Sequence, residues 1–109
     1  MSLKDYTNGS IYISGPMTGL ENHNSKGFYD TEVKLRNRGF TSIINPIHIS
    51  EIYGLGHDYN FYMRKAIEKL MTADAVYVFG NYKNSKGVAI EIELAHKVGI
   101  PVFFEEYND

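Results

Sequence analysis

Short apolar runs alternate along this chain with longer segments in which apolar residues recur every three or four positions. Four of the runs are rich in β-branched and aromatic residues and are bounded by turn-forming residues, which is typical of buried strands; they cover residues 11–14, 41–44, 75–79 and 100–104. The helical period of the other segments predicts three helices, at about 25–38, 59–70 and 85–98. The stretch 47–57 has no clear period and predicts a loop with room for one helical turn.

Strands that alternate with helices indicate an α/β fold built from βαβ units. We predict a single doubly wound, Rossmann- or flavodoxin-like domain over residues 1–109, with a mainly parallel sheet of four or five strands. In such a sheet the ligand crevice lies at the carboxyl ends of the strands. The segments 15–20, 45–46 and 80–85 each follow a strand and project towards that edge. Asp74 precedes its strand, so we expect it at the opposite edge, in a structural role.

Glu91 lies on the apolar side of its predicted helix. With about 100° between successive residues, one apolar stripe is formed by Val88, Ile92, Ala95 and Val98, and Glu91 falls inside it. A carboxylate that faces a core is destabilising unless it is paired or used in chemistry. Three interpretations are open: an ion pair with a buried Arg or Lys, a side chain that reaches the edge of the stripe, or a functional carboxylate.

Two Gly-containing segments can present backbone N–H groups to a ligand. The loop Gly15-Pro16-Met17-Thr18-Gly19 lacks the spacing of a dinucleotide fingerprint; it is either an ordinary strand-exit turn or a site for an anionic or sugar group. Ser85 and Gly87 open the helix of Glu91. They provide either an N-cap and close helix packing, or a hydroxyl and a free helix terminus for a phosphate.

The composition and charge of the chain exclude several kinds of site and partner. The chain has no Cys and a formal net charge of −2, with Lys and Arg scattered along it. These features exclude a disulfide framework and a thiol nucleophile, and they argue against nucleic acid as a partner. The four His lack the spacing of a metal site, so we expect no metal. Because no apolar signal core or membrane-length apolar run is present, we expect a cytoplasmic protein without a membrane partner.

An ordered set of short motifs extends over nearly the whole chain. The motifs are Ile11-Tyr12-Ile13-Ser14-Gly15-Pro16-Met17-Thr18-Gly19; Phe28, Leu35 and Gly39; Asn45-Pro46; Tyr62-Met63-Arg64; Ala73-Asp74; Ser85-Lys86-Gly87-Val88-Ala89-Ile90-Glu91; and Ala95, Gly99 and Pro101-Val102. In this order they resemble the nucleoside 2-deoxyribosyltransferase superfamily, in particular its branch of small phage and bacterial proteins. Enzymes of that superfamily cleave the N-glycosidic bond of 2-deoxynucleosides or their 5′-monophosphates.

The resemblance implies roles for the candidate residues. Glu91 would be the nucleophile that attacks C1′ and forms a glycosyl-enzyme, which water or a second base resolves. Tyr12 and the 15–19 loop would hold the sugar or base, and Ser85 at the helix start would hold the 5′ group. The full set of implied ligand-binding residues is Tyr12, Gly15, Pro16, Met17, Thr18, Gly19, Asn45, Ser85 and Gly87. The implied partner is a small-molecule nucleoside or nucleotide, with no cofactor, bound by a homo-oligomer in which a neighbouring subunit completes the site.

Two features depart from the superfamily pattern. Active members carry an Asp in the helix before the third strand, where it handles the proton on the departing base; the aligned residue here is Ala66, and His57 or Asp58 are the candidates to replace it. The chain ends soon after the fourth strand, so we expect the C-terminal residues that complete the site in larger relatives to be missing.

Three hypotheses of function follow from the sequence. The first is an enzyme that cleaves an N-glycosidic bond, as a deoxyribosyltransferase or a deoxynucleoside 5′-monophosphate hydrolase, with Glu91 as its nucleophile. The second is a protein that binds a nucleotide or nucleotide-sugar without turning it over. The third is an interaction scaffold, which a crevice blocked by Tyr or Met side chains would favour.

Overall fold

A four-stranded parallel sheet lies at the centre of the fold. The computed structural model describes residues 1–108 and orders the strands β2-β1-β3-β4, with each neighbouring pair parallel. The strands are β1 (Ser10–Ser14), β2 (Ser42–Ile44), β3 (Ala75–Val78) and β4 (Val102–Phe104), and the helices are α1 (Ser25–Asn37), α2 (His48–Tyr53), α3 (Tyr59–Leu70), α4 (Lys86–Val98) and α5 (Glu105–Asn108). No helix in this part of the chain is long and apolar enough to span a bilayer. The predicted α/β class and parallel sheet are confirmed.

Each face of the sheet has its own apolar core, because successive side chains of a strand point to opposite faces. One core joins β1 to α1 and contains Ile11, Ile13, Phe28 and Leu35. The other, called the second core below, lies on the second face of the sheet. It joins β1 to α3 and α4 and contains Tyr12, Leu70, Val88 and Ala95. Helices therefore cover both faces, as a doubly wound fold requires.

Side-chain caps begin the two helices that cover the second face. Asp58 Oδ1 accepts a hydrogen bond from the Phe61 N–H at 2.9 Å at the start of α3. Ser85 Oγ accepts one from the Val88 N–H at 3.3 Å at the start of α4. Gly99 ends α4 with a φ of 81°, a left-handed conformation that glycine adopts readily. All three boundaries agree with the sequence-based prediction.

Three features differ from the sequence-based expectation. Residues 48–53 form the short helix α2, because Ile49 is buried and anchors this segment to the second core. The acidic C-terminal stretch forms α5. Val98 is 55 % exposed, since it lies at the margin of the apolar stripe in the last turn of α4.

Asp74 ties the amino-terminal edge of the sheet together. Its Oδ2 accepts a hydrogen bond from the Ser10 N–H at 2.8 Å, and its own N–H donates to the Ser10 carbonyl at the same distance. Asp74 thus has the structural role predicted for it, on the edge away from the candidate site.

Candidate functional site

A cavity of about 350 Å³ lies beside the loop that follows β1. The segment from β2 to α3 and the first two turns of α4 form its other walls. Most of its lining side chains are apolar or aromatic; the larger ones are Tyr12, Met17, Phe28, Tyr59, Tyr62 and Met63. A cavity of this size and composition suits a small organic ligand. It is open, so its Tyr and Met side chains line the crevice rather than block it.

Glu91 borders this cavity from the second turn of α4. Its side chain is buried, with 6 % of the residue exposed. Ser14 Oγ donates a hydrogen bond to Glu91 Oε1 at 2.8 Å, and the Tyr12 hydroxyl donates one to Oε2. Two hydroxyl groups of β1 therefore hold the carboxyl group in one orientation against the sheet.

The pKa values at this cluster follow from burial. Burial raises the pKa of the Glu91 carboxyl from its usual 4.5 to about 7, although the hydrogen bonds from Tyr12 and Ser14 lower it in part. The pKa of the Tyr12 phenol lies well above its usual 10, first because of burial and then because of the negative charge and hydrogen bond of Glu91. Tyr12 therefore remains a protonated donor, while Glu91 is divided between its neutral and ionised forms near neutral pH.

The surroundings of Glu91 remove two of the three interpretations left open by the sequence. Within residues 1–108, neither Lys nor Arg forms an ion pair with this carboxylate. The side chain also does not reach solvent at the edge of the stripe. A buried carboxyl group that borders a cavity and is held only by hydroxyl donors fits a functional group better than a structural one.

Most of the predicted ligand-binding residues border the cavity. Those that do are Tyr12, Gly15, Met17, Thr18, Gly19, Ser85 and Gly87. Gly15 also has a packing role, because a Cβ there would lie 2.1 Å from the ring of Phe79. Ser85 caps α4 and borders the cavity at once, so its two interpretations are compatible.

Pro16 and Asn45 do not line the cavity, contrary to expectation. The Pro16 carbonyl accepts a hydrogen bond from Asn24 Nδ2 at 2.9 Å, which fixes the loop after β1. Asn45 Nδ2 donates to the Phe28 carbonyl at 3.2 Å, and its Oδ1 accepts from the Ile47 N–H at 3.2 Å. Because these contacts occupy its amide, Asn45 shapes the exit of β2 rather than the cavity wall.

Two parts of the site were not predicted from the sequence. Ser14 was not among the predicted site residues, although it is two residues after Tyr12 and so shares its face of β1. The other is the segment around α2, which brings Ile49, Ser50 and Leu55 to the cavity beside the candidate His57. Its aperiodic sequence carries no signal that would have predicted this placement.

Ala66 borders the cavity from α3 and is buried among the apolar residues of the second core. Its methyl group leaves Glu91 as the only carboxyl group among the lining side chains that the structure describes. Two imidazoles, of His23 and His57, also border the cavity. Across the same residues, no three His, Asp or Glu side chains are grouped so as to hold a metal ion.

Comparison with known proteins identifies a solved structure with the same fold. A solved structure of a 2-deoxyribosyltransferase from the psychrotolerant bacterium Bacillus psychrosaccharolyticus superimposes with a TM-score of 0.63 and 22 % sequence identity, over 87 % of this chain and 70 % of the other. The two proteins therefore share a fold. The sequence matches no curated protein. The family described as domain of unknown function DUF4406 matches residues 9–104, and that family lies within the nucleoside 2-deoxyribosyltransferase superfamily. The chain thus belongs to the DUF4406 family and is a distant relative of the nucleoside 2-deoxyribosyltransferases.

Proposed function

We propose that the cavity binds a 2-deoxynucleoside or its 5′-monophosphate and that Glu91 cleaves the N-glycosidic bond as a nucleophile. The observation that carries this proposal is the buried Glu91 carboxyl group, which two hydroxyl groups orient at the wall of a ligand-sized cavity. The shared fold with a 2-deoxyribosyltransferase supports the same assignment.

Glu91 has the chemistry for this step. A carboxylate has about four lone-pair sites on its two oxygens. One site on each oxygen is used by Tyr12 or Ser14, so each oxygen keeps another for C1′. With its pKa raised to about 7, a large fraction of the carboxyl is ionised at neutral pH. The attack forms a bond from Glu91 to C1′ as the bond from C1′ to the base breaks, which is the retaining route.

The other residues that line the cavity suit the base and the 5′ group of such a substrate. Aromatic and sulfur-containing side chains can pack on the faces of a base; Phe28, Tyr59 and Met63 line the cavity and are of these kinds. The Ser85 hydroxyl and the start of α4 border the same space and are suited to a 5′-hydroxyl or 5′-phosphate. Water or a second base then accepts the sugar from Glu91, which gives a hydrolase or a transferase.

Incubation with the four common 2-deoxynucleosides and their 5′-monophosphates tests the proposal. We expect at least one of them to release free base, detected by chromatography. The same incubation with a second base present distinguishes transfer, which yields a new nucleoside, from hydrolysis. If none of the eight compounds releases base with or without that acceptor, the proposed reaction is wrong.

Replacement of Ser85 by Ala separates its capping role from its proposed ligand role. Loss of the cap should lower the free energy of unfolding by about 1 kcal/mol. Because Ser85 borders the cavity, we also expect a higher KM for the 5′-monophosphate relative to that for the free nucleoside. Asp58→Ala is the matched control, since Asp58 caps α3 but does not line the cavity. If Ser85→Ala leaves the ratio of the two KM values unchanged, Ser85 does not hold the 5′ group.

A second candidate function is binding without turnover, and Ala66 is the observation that favours it. A methyl group there leaves the cavity with a single carboxyl group, whereas glycosidic cleavage commonly uses a pair. Thermal unfolding with each nucleotide distinguishes the two functions. A binder is stabilised by a nucleotide that is recovered intact, whereas the enzyme converts it.

A further inference from the structure

Cleavage of a base from a sugar needs a proton as well as a nucleophile. A base departs poorly as an anion, and a positioned acid typically accelerates such a step by about 10²- to 10⁴-fold. Glu91 cannot supply this proton while its carboxylate attacks C1′. The question, which rests on the proposed function, is therefore which other group of the cavity wall can donate.

The phenols of the wall are poor candidates. The Tyr12 hydroxyl donates to Glu91, and the pKa of Tyr12 lies far above neutrality. Burial and the charge of Glu91 also raise the pKa of Tyr59. The Tyr62 hydroxyl donates to the Gly54 carbonyl at 2.7 Å. An imidazole, in contrast, can both release and accept a proton near neutral pH.

His57 is the imidazole that the structure holds in place. Its ring stacks on the ring of Phe61, with 3.8 Å between centroids and an angle of 17°. Its backbone N–H donates to the Tyr62 hydroxyl oxygen at 3.3 Å. His57 Nε2 lies 3.0 Å from the Tyr53 carbonyl oxygen. Three independent contacts thus fix the backbone, the ring plane and one ring nitrogen.

The contact with Tyr53 also decides which nitrogen can exchange a proton. A carbonyl oxygen can only accept a hydrogen bond, so Nε2 must carry hydrogen in both charge states. Nδ1 is therefore the nitrogen that gains and loses the proton. Within the described chain, no hydrogen bond occupies His57 Nδ1.

His23, the other imidazole of the wall, lacks such support. It lies in a turn where three consecutive residues, 22–24, have positive φ. Across residues 1–108 its ring has neither a hydrogen-bond partner nor a stacking partner. A proton donor must be held within reach of its acceptor to act efficiently, which favours His57.

The geometry points to His57 as the general acid that protonates the departing base. In the first step Glu91 Oε bonds to C1′, the C1′–N electron pair moves to the base, and the proton on Nδ1 of the His57 imidazolium passes to a base nitrogen. The products are a neutral base, a neutral imidazole and a glycosyl ester of Glu91. In the second step water attacks C1′, its proton passes to Nδ1, and the ester bond breaks to restore the Glu91 carboxylate. A second base that transfers the same proton gives the transferase reaction.

Among residues 1–108, no carboxylate forms an ion pair with the His57 side chain. Asp58 is next in the chain, but its Oδ1 caps α3. Lys65 Nζ lies over the rings of Tyr53 and Phe61, at 5.0 and 5.8 Å from their centroids, on the aromatic cluster that His57 joins. Glu91 lines the same cavity and is held by Tyr12 and Ser14. No carboxylate among the described residues therefore competes with the base for a hydrogen bond from His57 Nδ1.

Two substrates with different leaving groups test this role. One is a 2-deoxynucleoside that the wild type cleaves; the other is 4-nitrophenyl 2-deoxyribofuranoside, whose nitrophenolate departs without a proton. We expect His57→Ala to lower the first-turnover rate of base release from the nucleoside by about 10²- to 10⁴-fold and to leave the first-turnover burst of nitrophenolate close to the wild-type rate. His57→Asn keeps a donor near the Nδ1 position but cannot transfer a proton, so it should show the same selective loss. His96→Asn, in an exposed His outside the cavity, should change neither rate.

The outcomes separate the acid from a structural role and from the proposed function itself. Equal loss for both substrates in both His57 variants would show that His57 supports the fold of the site and would overturn the proposal. No loss for either substrate would also overturn it. A wild-type protein that cleaves neither substrate contradicts the proposed function, and the role of His57 fails with it.

Discussion

Glu91→Gln is expected to lower the rate of base release by about 10⁴-fold or more, the scale seen when an enzyme loses its nucleophile. An amide has the shape of the carboxyl group but does not attack C1′. Its oxygen can still accept a hydrogen bond from Tyr12 or Ser14, so the fold should be kept. Single-turnover assays of base release, with circular dichroism to monitor folding, measure the effect.

Glu93→Gln is the matched control for this substitution. Glu93 lies two residues further along α4, is exposed, and pairs with Lys97 Nζ at 3.0 Å. Loss of such a pair changes stability by only a few tenths of a kcal/mol, and the rate should not change. A Glu91→Gln protein that is folded and releases base as fast as Glu93→Gln would show that another group is the nucleophile.

The second large effect is a pH-dependent loss of stability caused by the same side chain. The pKa of Glu91 is about 7 in the folded protein, against a usual 4.5. Below pH 4.5 both states hold the proton. Between 4.5 and 7 the unfolded state loses its proton first, so the free energy of unfolding falls as pH rises. Above pH 7 the free energy of unfolding is therefore about 3 kcal/mol lower than in acid, because each pKa unit contributes about 1.36 kcal/mol.

Urea unfolding of the wild type and Glu91→Gln between pH 4.5 and 8 measures this loss. We expect the free energy of unfolding of the variant, relative to that of the wild type, to rise by about 3 kcal/mol from the lower to the upper end of this pH range. The lowered pKa values of Glu32, Glu51 and Glu105 act at the acidic end and are common to both proteins, so they cancel in the difference. A difference that stays constant with pH would mean that burial does not raise the pKa of Glu91.

Much of the site was predictable because its residues lie on helices and strands whose apolar residues recur at a regular period. The helical period placed Glu91 among the apolar residues of α4, and its burial confirms that placement. The end of β1 and the start of α4 follow from turn and capping residues, and both border the cavity. The same two-residue period that buries Tyr12 also places Ser14 beside Glu91.

The wall around α2 was not predictable because side-chain contacts outside any regular period hold it. The segment 54–57 contains two Gly with positive φ and no apolar period. Its path depends on the Tyr62 hydroxyl, which bonds to the Gly54 carbonyl, and on the stacking of His57 on Phe61. The two contacts join residues only eight and four positions apart, but neither contact belongs to a regular apolar period. The case for His57 rests on contacts of this kind, above all its stacking on Phe61 and the contact of its Nε2 with the Tyr53 carbonyl oxygen.

Mass spectrometry of the protein mixed rapidly with a cleaved 2-deoxynucleoside tests the central claim most directly. We expect a transient increase by the mass of one 2-deoxyribosyl group, and peptide mapping should place it on Glu91. His57→Ala with the 4-nitrophenyl substrate should accumulate the same adduct, because its hydrolysis lacks the base that activates water. Base release without any adduct, or an adduct on another residue, would contradict the assignment of Glu91 as the nucleophile.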